Sequence, residues 1–252
     1  MEVKNRDTYE RTLREKIIER FRELRESILL NPLAVDWIAF RDRLAADLQR
    51  ESETLFLLIA ILLIAWFESE APPAAKGEDS QPNQPNPRPL QPTDLIPIAK
   101  EFAKKRASET AANVAKSVKQ AINELQAIAN EVQQLQDIAD RLKTTLDKQL
   151  SDHRADVIAV TEITHTISVA DDSTARYIEQ RRPVYLPPIW FTQEDEKVCP
   201  ICGPLHGKGP VAWAHMFPTG PPAHPVCRCW KDRKIVPLVT RGTGRKKTPT
   251  TA

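Results

Sequence analysis

Apolar residues recur at helical spacing through the first 50 residues of the chain. Between repeated pairs of Arg and Glu, one apolar side chain returns every three or four positions. The stripe consists of Leu13, Ile17, Phe21, Leu24 and Ile28. This period is typical of an amphipathic helix with one buried face. Asn31-Pro32 follows the stripe and predicts an interruption, because proline cannot donate the backbone hydrogen bond of a helix interior.

Residues 55–67 are apolar without interruption. A helix needs roughly 20 such residues to span a bilayer, and acidic residues flank this shorter run on both sides. We therefore expect no membrane partner. The run predicts a helix that protein buries on all sides, and an oligomer or partner interface is the alternative.

The pattern stops between residues 71 and 97, where Pro, Gln, Asn and Asp dominate. Such a segment can neither bury a core nor continue a helix, so it predicts an extended linker. The whole chain has 21 prolines and only 7 glycines, which favours rigid connectors between elongated segments. Residues 1–70 are accordingly interpreted as a separate N-terminal helical region.

The longest periodic stretch follows the linker. Its apolar positions are Val114, Val118, Ile122, Leu125, Ile128, Val132, Leu135, Ile138, Leu142, Leu146 and Leu150. Their steps of three and four predict one amphipathic helix that ends near Leu150. Its stripe needs a second helix to cover it, either from residues 152–182 or from a neighbouring subunit. A turn at Ser151-Asp152 is the simpler solution, with one of these residues capping the second helix, and it makes residues 98–182 a long helical hairpin.

The helical spacing of apolar residues ends at Arg182-Pro183. Short runs at 184–186, 189–191 and 234–239 are typical of strands. We expect a small β-rich module over residues 183–240, too small to fold well without a bound metal. The predicted fold is thus mainly α with a small β-rich C-terminal module (α+β): long antiparallel helices and then a module held by Cys and His. Residues 241–252 are predicted to be a basic disordered tail.

All four cysteines of the chain lie in this module, and a histidine is interleaved with them. They are Cys199, Cys202, Cys227 and Cys229, with His224 between the two pairs. The N-terminus lacks the pattern of a secretory signal, so we expect a reducing compartment, where clustered Cys and His favour a metal over disulfides. The net charge of +2 indicates no strong global field toward nucleic acid or membrane.

A structural zinc ion is the predicted cofactor, and five donors compete for four tetrahedral positions. We rank Cys199, Cys202, His224 and Cys227 first. In an extended segment Cys227 and Cys229 would point to the same face, so either both bind the ion or one binds while the other packs beneath it. Cys229 therefore ranks close behind the first four. The loop histidines 206 and 215 are left out, because a lone loop histidine is more often solvated or hydrogen bonded.

Three other interpretations of the cysteines are open. A redox Cys-x-x-Cys normally begins a helix, whereas loop and strand flank this one. A catalytic zinc would keep one open position and use a nearby base, and Glu194, Asp195 and Glu196 are candidates. The residues could also be buried thiols without a metal. A structural site is favoured, since five donors can close the coordination sphere.

Two motifs in order resemble a known family. The first lies in the helical residues 154–162, which include Thr161-Glu162. The second is the module pattern of Trp190, Thr192, Asp195, Val198, Cys199, Cys202, Leu205 and Gly207, followed by Pro222, His224, Pro225, Cys227, Arg228 and Cys229. Together they resemble the C-terminal domain of phage Mu F-like head morphogenesis proteins, the minor capsid proteins of tailed double-stranded DNA phages. The resemblance covers about residues 100–230. The family pattern often has arginine where this chain has Val160.

The resemblance implies a structural protein of the virion and no enzymatic activity. It implies a place at the portal vertex inside the head, after assembly in the host cytoplasm, and a role in procapsid assembly and in DNA packaging or ejection. The expected partners are the portal protein and the major capsid or scaffolding protein. Packaged double-stranded DNA could bind the basic tail. Thr161 and Glu162 are interpreted as a buried pair that hydrogen bonds the helix to the module, and an acid/base pair is the alternative.

Two functions from other classes are the alternatives. The first is a zinc-dependent hydrolase, a nuclease or a peptidase, with Glu194 or Asp195 as base. The second is a DNA-binding adaptor that acts through the tail.

Overall fold

The computed structural model describes residues 6–31, 34–72, 88–129, 135–193 and 198–238. Long helices make up most of it, as predicted. They are α1 (Arg6–Leu30), α2 (Trp37–Glu70), α3 (Ile96–Ala129), α4 (Leu135–Gln149) and α5 (Asp152–Glu179). A 3-10 turn, Pro92–Leu95, leads into α3. The predicted basic tail lies outside the described residues, as does most of the predicted linker.

Helix α1 buries the apolar stripe that the sequence predicts. Its buried hydrophobic residues are Leu13, Ile17, Phe21, Leu24 and Ile28. The helix runs antiparallel to α2, since Arg20 pairs with Asp47 at 2.8 Å while Lys16 pairs with Glu51. These polar pairs border the apolar contact between the two helices.

Helix α2 contains the uninterrupted apolar run but is not buried on all sides, so that prediction is wrong. One face packs into the bundle through Leu55, Phe56, Ile59, Ala60, Leu63 and Phe67. On the opposite side Ile61 is 49% exposed, and Ala65 is exposed as well. Neighbouring helices cover only part of the circumference of α2. By length and composition α2 could cross a membrane, and 44% of its most apolar window is buried within the protein.

The chain reverses direction earlier than the sequence predicts. Leu125 of α3 lines the same surface pocket as Asp140 and Thr144 of α4, and Ser117 of α3 accepts a hydrogen bond from Arg154 of α5. Both α4 and α5 therefore run antiparallel to α3. The prediction of a single helix up to Leu150 is therefore wrong, because the chain reverses direction between α3 and α4.

Of the two residues predicted as alternative caps, Ser151 and Asp152, it is Ser151 that caps α5. Its hydroxyl accepts the backbone N–H of Arg154 at 3.1 Å, which satisfies a donor in the first turn of α5. The chain does not reverse direction at the junction between α4 and α5, where Ser151 only caps α5. Periodicity alone could not locate the reversal, since the apolar stripe continues through it in register.

Helices α1, α2, α3 and α5 share one hydrophobic core. The cluster joins residues from the predicted N-terminal region, such as Leu13 and Phe56, to residues of the predicted hairpin, such as Val118 and Ile167. Ser52 of α2 also contacts Thr166 of α5 at 3.4 Å. The four helices therefore form one bundle whose core spans the predicted linker.

His165 lies in this bundle beside the ring of Phe102, with 5.7 Å between ring centroids. Burial, reinforced by the positive charges of Arg106 and Lys231, lowers the pKa of His165 to about 4 from 6.5. The unfolded chain then takes up a proton before the folded protein does, so acidification through this interval favours unfolding.

We expect the free energy of unfolding to fall by about 1–2 kcal/mol between pH 6.5 and 4 from this residue, with allowance for the partial exposure of the ring. Urea unfolding at a series of pH values measures the slope. The variant His165→Gln should flatten the slope, whereas the same change at the exposed His153 should not. An unchanged slope in His165→Gln would show that other groups cause the acid sensitivity.

The C-terminal module contains two antiparallel strand pairs, in line with the predicted β-rich fold. Strand β2 (Pro188–Phe191) pairs with β3 (Trp230–Arg233), and β1 (Val184–Tyr185) pairs with β4 (Val236–Pro237). A short helix α6, Pro210–Trp213, lies in the connection between β2 and β3. Strand β3 was not predicted, because its alternating Trp, Lys, Asp and Arg lack the apolar content of a strand.

Candidate metal centre

The first two cysteines lie on a tight turn. The backbone N–H groups of Cys202 and Gly203 both donate to the carbonyl of Cys199, each at 3.1 Å. The Cys202 N–H also lies 3.3 Å from the Cys199 sulfur. This turn brings both thiols to one side of the chain, as in the Cys-x-x-Cys turns that bind zinc.

The other three donors lie on residues 224–229, which we call the second ligand segment. The N–H of Cys227 donates to the carbonyl of His224 at 3.2 Å, and Val226 has a φ of 62°. That left-handed conformation is costly for a β-branched residue, so the surrounding contacts must maintain it. The resulting turn points His224 and Cys227 toward the first pair of cysteines.

All five predicted donors come together. The Nε2 atom of His224 lies 3.0 Å from the sulfur of Cys199 and 3.4 Å from that of Cys202, and the sulfurs of Cys202 and Cys227 are 3.9 Å apart. The donors form two groups, each within 4.8 Å, that share Cys202: Cys199, Cys202 and His224, and then Cys202, Cys227 and Cys229.

This geometry fits a tetrahedral zinc ion. Sulfurs bound to zinc at about 2.3 Å lie about 3.8 Å apart in a tetrahedron, close to the 3.9 Å between Cys202 and Cys227. The five donors line a cavity of about 20 Å³, enough for one ion. Which four of the five bind is open, but Cys202 belongs to both groups.

The histidine ring is oriented as a metal ligand would be. Its Nδ1 lies 2.8 Å from the carbonyl of Pro225, an acceptor that fixes the proton on Nδ1 in the neutral ring. The lone pair of Nε2 then faces the sulfurs of Cys199 and Cys202. A carbonyl partner on the opposite nitrogen is the usual arrangement for a zinc-binding histidine.

Crowding of the thiols also favours a bound cation. Hydrogen bonds from Cys202 and Cys229 lower the pKa of Cys227 to about 2. The hydrogen bond to Cys227, followed by that to Cys229, raises the pKa of Cys202. Ionisation of Cys227 thus opposes ionisation of the neighbouring Cys202. A divalent cation would remove that opposition and allow all of the ligating thiols to ionise.

An aromatic cluster encloses the cysteines. Trp190 of β2 is fully buried, and its ring contacts those of Trp213 and Phe217, each at 5.6 Å between centroids. Cys202, Cys227 and Cys229 belong to the same buried cluster. This second core is small and separate from that of the bundle, and the cysteines and aromatic rings form most of it.

The remaining sequence candidates lie elsewhere. His206 faces Thr192, with 3.0 Å between its Nδ1 and the threonine hydroxyl, and His215 is exposed. Both are outside the donor groups, as expected. The bases considered for a catalytic zinc, Glu194, Asp195 and Glu196, lie outside the described residues.

Thr161 and Glu162 were predicted to bind the module together, but only Thr161 contacts it. The Thr161 hydroxyl accepts the N–H of Val226 at 3.0 Å, so it does bind the module. Glu162 instead accepts both guanidinium hydrogen bonds of Arg106 and one from Thr110 of α3, at 2.9 to 3.0 Å. For Glu162 the predicted contact with the module is wrong.

A buried ionic cluster, which sequence reasoning missed, joins the module to the bundle. Lys231 and Arg233 point from one face of β3 toward α5, where Asp171 and Asp172 accept their hydrogen bonds. Lys231 is 5% exposed and Arg233 is 9% exposed. The alternating basic residues and the paired aspartates were the available signal, but nothing in the sequence indicated that they meet.

Comparison with known proteins matches the chain to a family. The family described as Phage Mu protein F like protein matches residues 105–231, half of the chain. The matched segment begins in α3, includes α5 and ends in β3, so it contains all five donors. No curated protein and no solved structure matches the chain.

Proposed function

The chain belongs to the Phage Mu protein F like family, a structural family of phage head morphogenesis, and from this premise we propose that it is a minor capsid protein at the portal vertex. In this role it lies inside the head, enters during assembly in the host cytoplasm, and assists procapsid assembly and DNA packaging or ejection. The portal protein is its principal partner, beside the major capsid or scaffolding protein.

The observation that supports portal binding is an apolar surface on α2. We call Leu58, Ile61, Leu62 and Ala65 the α2 outer face, because they follow one another at helical spacing. Ala65 is exposed, and Leu58 and Leu62 are half-buried. Ile61 is 49% exposed. Contiguous exposed apolar surface of this kind is characteristic of a binding site for another protein.

In this proposal the zinc ion has a structural role. With five donors around one ion-sized cavity, four can bind and leave no position for a substrate or a reactive water. The ion would crosslink the Cys199–Cys202 turn to the second ligand segment. No catalytic step is assigned to the protein. Contact of the basic tail with packaged DNA stays a prediction.

The variant Ile61→Glu tests the portal proposal. Co-expressed with the portal protein of the same phage, the wild-type chain should copurify with it at low salt. The variant should be retained at least about tenfold less, because a charge in the centre of an apolar contact is left unpaired. Its unfolding temperature should stay close to that of the wild type, since Ile61 is half exposed.

Leu30→Glu is the matched control, because Leu30 is 87% exposed at the far end of α1. Its retention by the portal should equal that of the wild-type chain. If Ile61→Glu is also retained fully, the α2 outer face is not the portal-binding surface. A wild-type chain that the portal never retains would overturn the proposed partner.

A further inference from the structure

The backbone of the second ligand segment is bound by side chains from α5. The N–H of Val226 donates to Thr161 at 3.0 Å, and the carbonyl of Cys227 accepts from the Thr164 hydroxyl at 2.6 Å. Thr164 is almost fully buried. Consecutive residues of the segment, one of them a predicted ligand, are therefore positioned by one turn of α5.

The first turn of α1 binds the next residue of the segment. The Nη1 atom of Arg6 donates to the carbonyl of Arg228 at 3.0 Å, and its Nη2 atom donates to Thr164. Its Nε atom donates to Glu10 at 2.6 Å. Arg6 is only 8% exposed, so these hydrogen bonds replace water that the buried guanidinium has lost.

A second contact reinforces the first. The side chain of Arg228 extends back to α1, where it pairs with Asp7 at 2.6 Å and lies 3.7 Å from Glu10. Arg228 stands between the predicted ligands Cys227 and Cys229. The position of the segment that supplies three donors thus depends on a helix outside the matched residues 105–231.

We propose that Arg6 and Thr164 are positioning residues of the metal centre, and that zinc binding is thermodynamically coupled to docking of the first turn of α1. This inference rests on the proposed structural zinc. Zinc fixes Cys227 and its neighbours in the conformation that Arg6 and Thr164 recognise, and their hydrogen bonds hold the donors ready for zinc. Coupling of this kind is reciprocal, so each event strengthens the other by the same factor.

The first test measures zinc affinity of the full chain by competition with a chromophoric chelator. We expect Arg6→Ala and Thr164→Val to weaken zinc binding by at least about tenfold, the usual effect of removing a residue that orients metal ligands. Thr164→Ser keeps the hydroxyl and should bind zinc like the wild type. Arg25→Ala is the control, since Arg25 joins α1 to α4 through Asp147, toward the end of α1 far from Arg6.

The second test uses the wild-type protein and stands even where a variant folds poorly. Removal of zinc with a chelator should increase amide hydrogen exchange in the first two turns of α1, by at least about tenfold, and leave the last two turns unchanged. Exchange that is the same with and without zinc would overturn the coupling.

The outcomes distinguish a failure of the coupling from a failure of the proposed structural zinc. A wild-type chain that binds no zinc overturns the structural zinc and the coupling with it. A wild-type chain that binds zinc, with Arg6→Ala and Thr164→Val at the same affinity, overturns the coupling alone. Equal weakening in Arg25→Ala would also overturn it, because the effect would then come from general destabilisation of the bundle.

Discussion

Replacement of Cys202 by serine is expected to abolish zinc binding and to unfold the interior of the C-terminal module while the helical bundle stays folded. Cys202 is the one residue common to both donor groups, and it is 2% exposed. Serine cannot replace a thiolate ligand, so every choice of four ligands that includes Cys202 is lost. Since metal binding in such a site contributes about 10–16 kcal/mol to folding, the effect should be large.

Circular dichroism can follow the folding of the module and of the bundle separately in this experiment. Trp190, Trp213 and Trp230 belong to the module, and Trp37 and Trp66 to α2. We expect Cys202→Ser to lose the near-ultraviolet circular dichroism of the module and to keep the far-ultraviolet signal of the helices, which have their own core. Elemental mass spectrometry should find one zinc per wild-type chain and none in the variant.

Two control variants complete this test. Cys229→Ser removes a donor that belongs to one group only, so it should reduce zinc affinity less than Cys202→Ser does. His215→Ser changes an exposed histidine outside both groups and should leave one zinc bound. Full zinc occupancy in Cys202→Ser would contradict the ligand assignment, and a folded, zinc-loaded wild type with hydrolytic activity would favour a catalytic centre instead.

The variant Asp171→Ala is expected to destabilise the protein by about 3–5 kcal/mol, the usual cost of breaking a buried ion pair from one side. Asp171 is 6% exposed and accepts two hydrogen bonds from Arg233. Without it, the buried cations Arg233 and Lys231 face a single carboxylate, Asp172. The unfolding temperature, followed by circular dichroism, should fall by roughly 10 °C.

Two comparisons distinguish this effect from a general loss of charge. Asp152→Ala removes an aspartate at the exposed start of α5, where its side chain is 70% accessible, and should change stability by less than about 1 kcal/mol. The double variant Asp171→Leu with Arg233→Met replaces the buried pair by apolar groups and should recover most of the loss. If Asp171→Ala is as stable as the wild type, the cluster does not hold β3 on α5.

The sequence predicted those features that depend on residue type and on spacing along the chain. The spacing of Leu13 through Ile28 predicted α1 and its buried face, because residues three and four apart share one side of a helix. The cap of α5 was predicted as Ser151 or Asp152, because a short polar side chain can accept a hydrogen bond from the first turn of a helix. The grouping of four cysteines with His224 predicted a shared site, since thiolate and imidazole groups are the ligands that zinc prefers.

The predictions that failed concern which elements pack together. The reversal before α4 and the exposed side of α2 both depend on the neighbours of a helix. An apolar stripe shows that a face needs cover, but it does not identify the covering element. Glu162 was assigned to the module by its place next to Thr161, whereas adjacent residues on a helix point about 100° apart and meet different partners.

By itself, the sequence determined the helical class, the family motifs and the five donors of the candidate metal centre, because residue type and spacing specify these directly. The tertiary structure alone decided that one bundle core joins both sides of the predicted linker and that Arg6 reaches the second ligand segment. It also decided that two aspartates of α5 meet the basic face of β3. Such contacts join residues far apart in the chain, and the packing of whole helices fixes their distances.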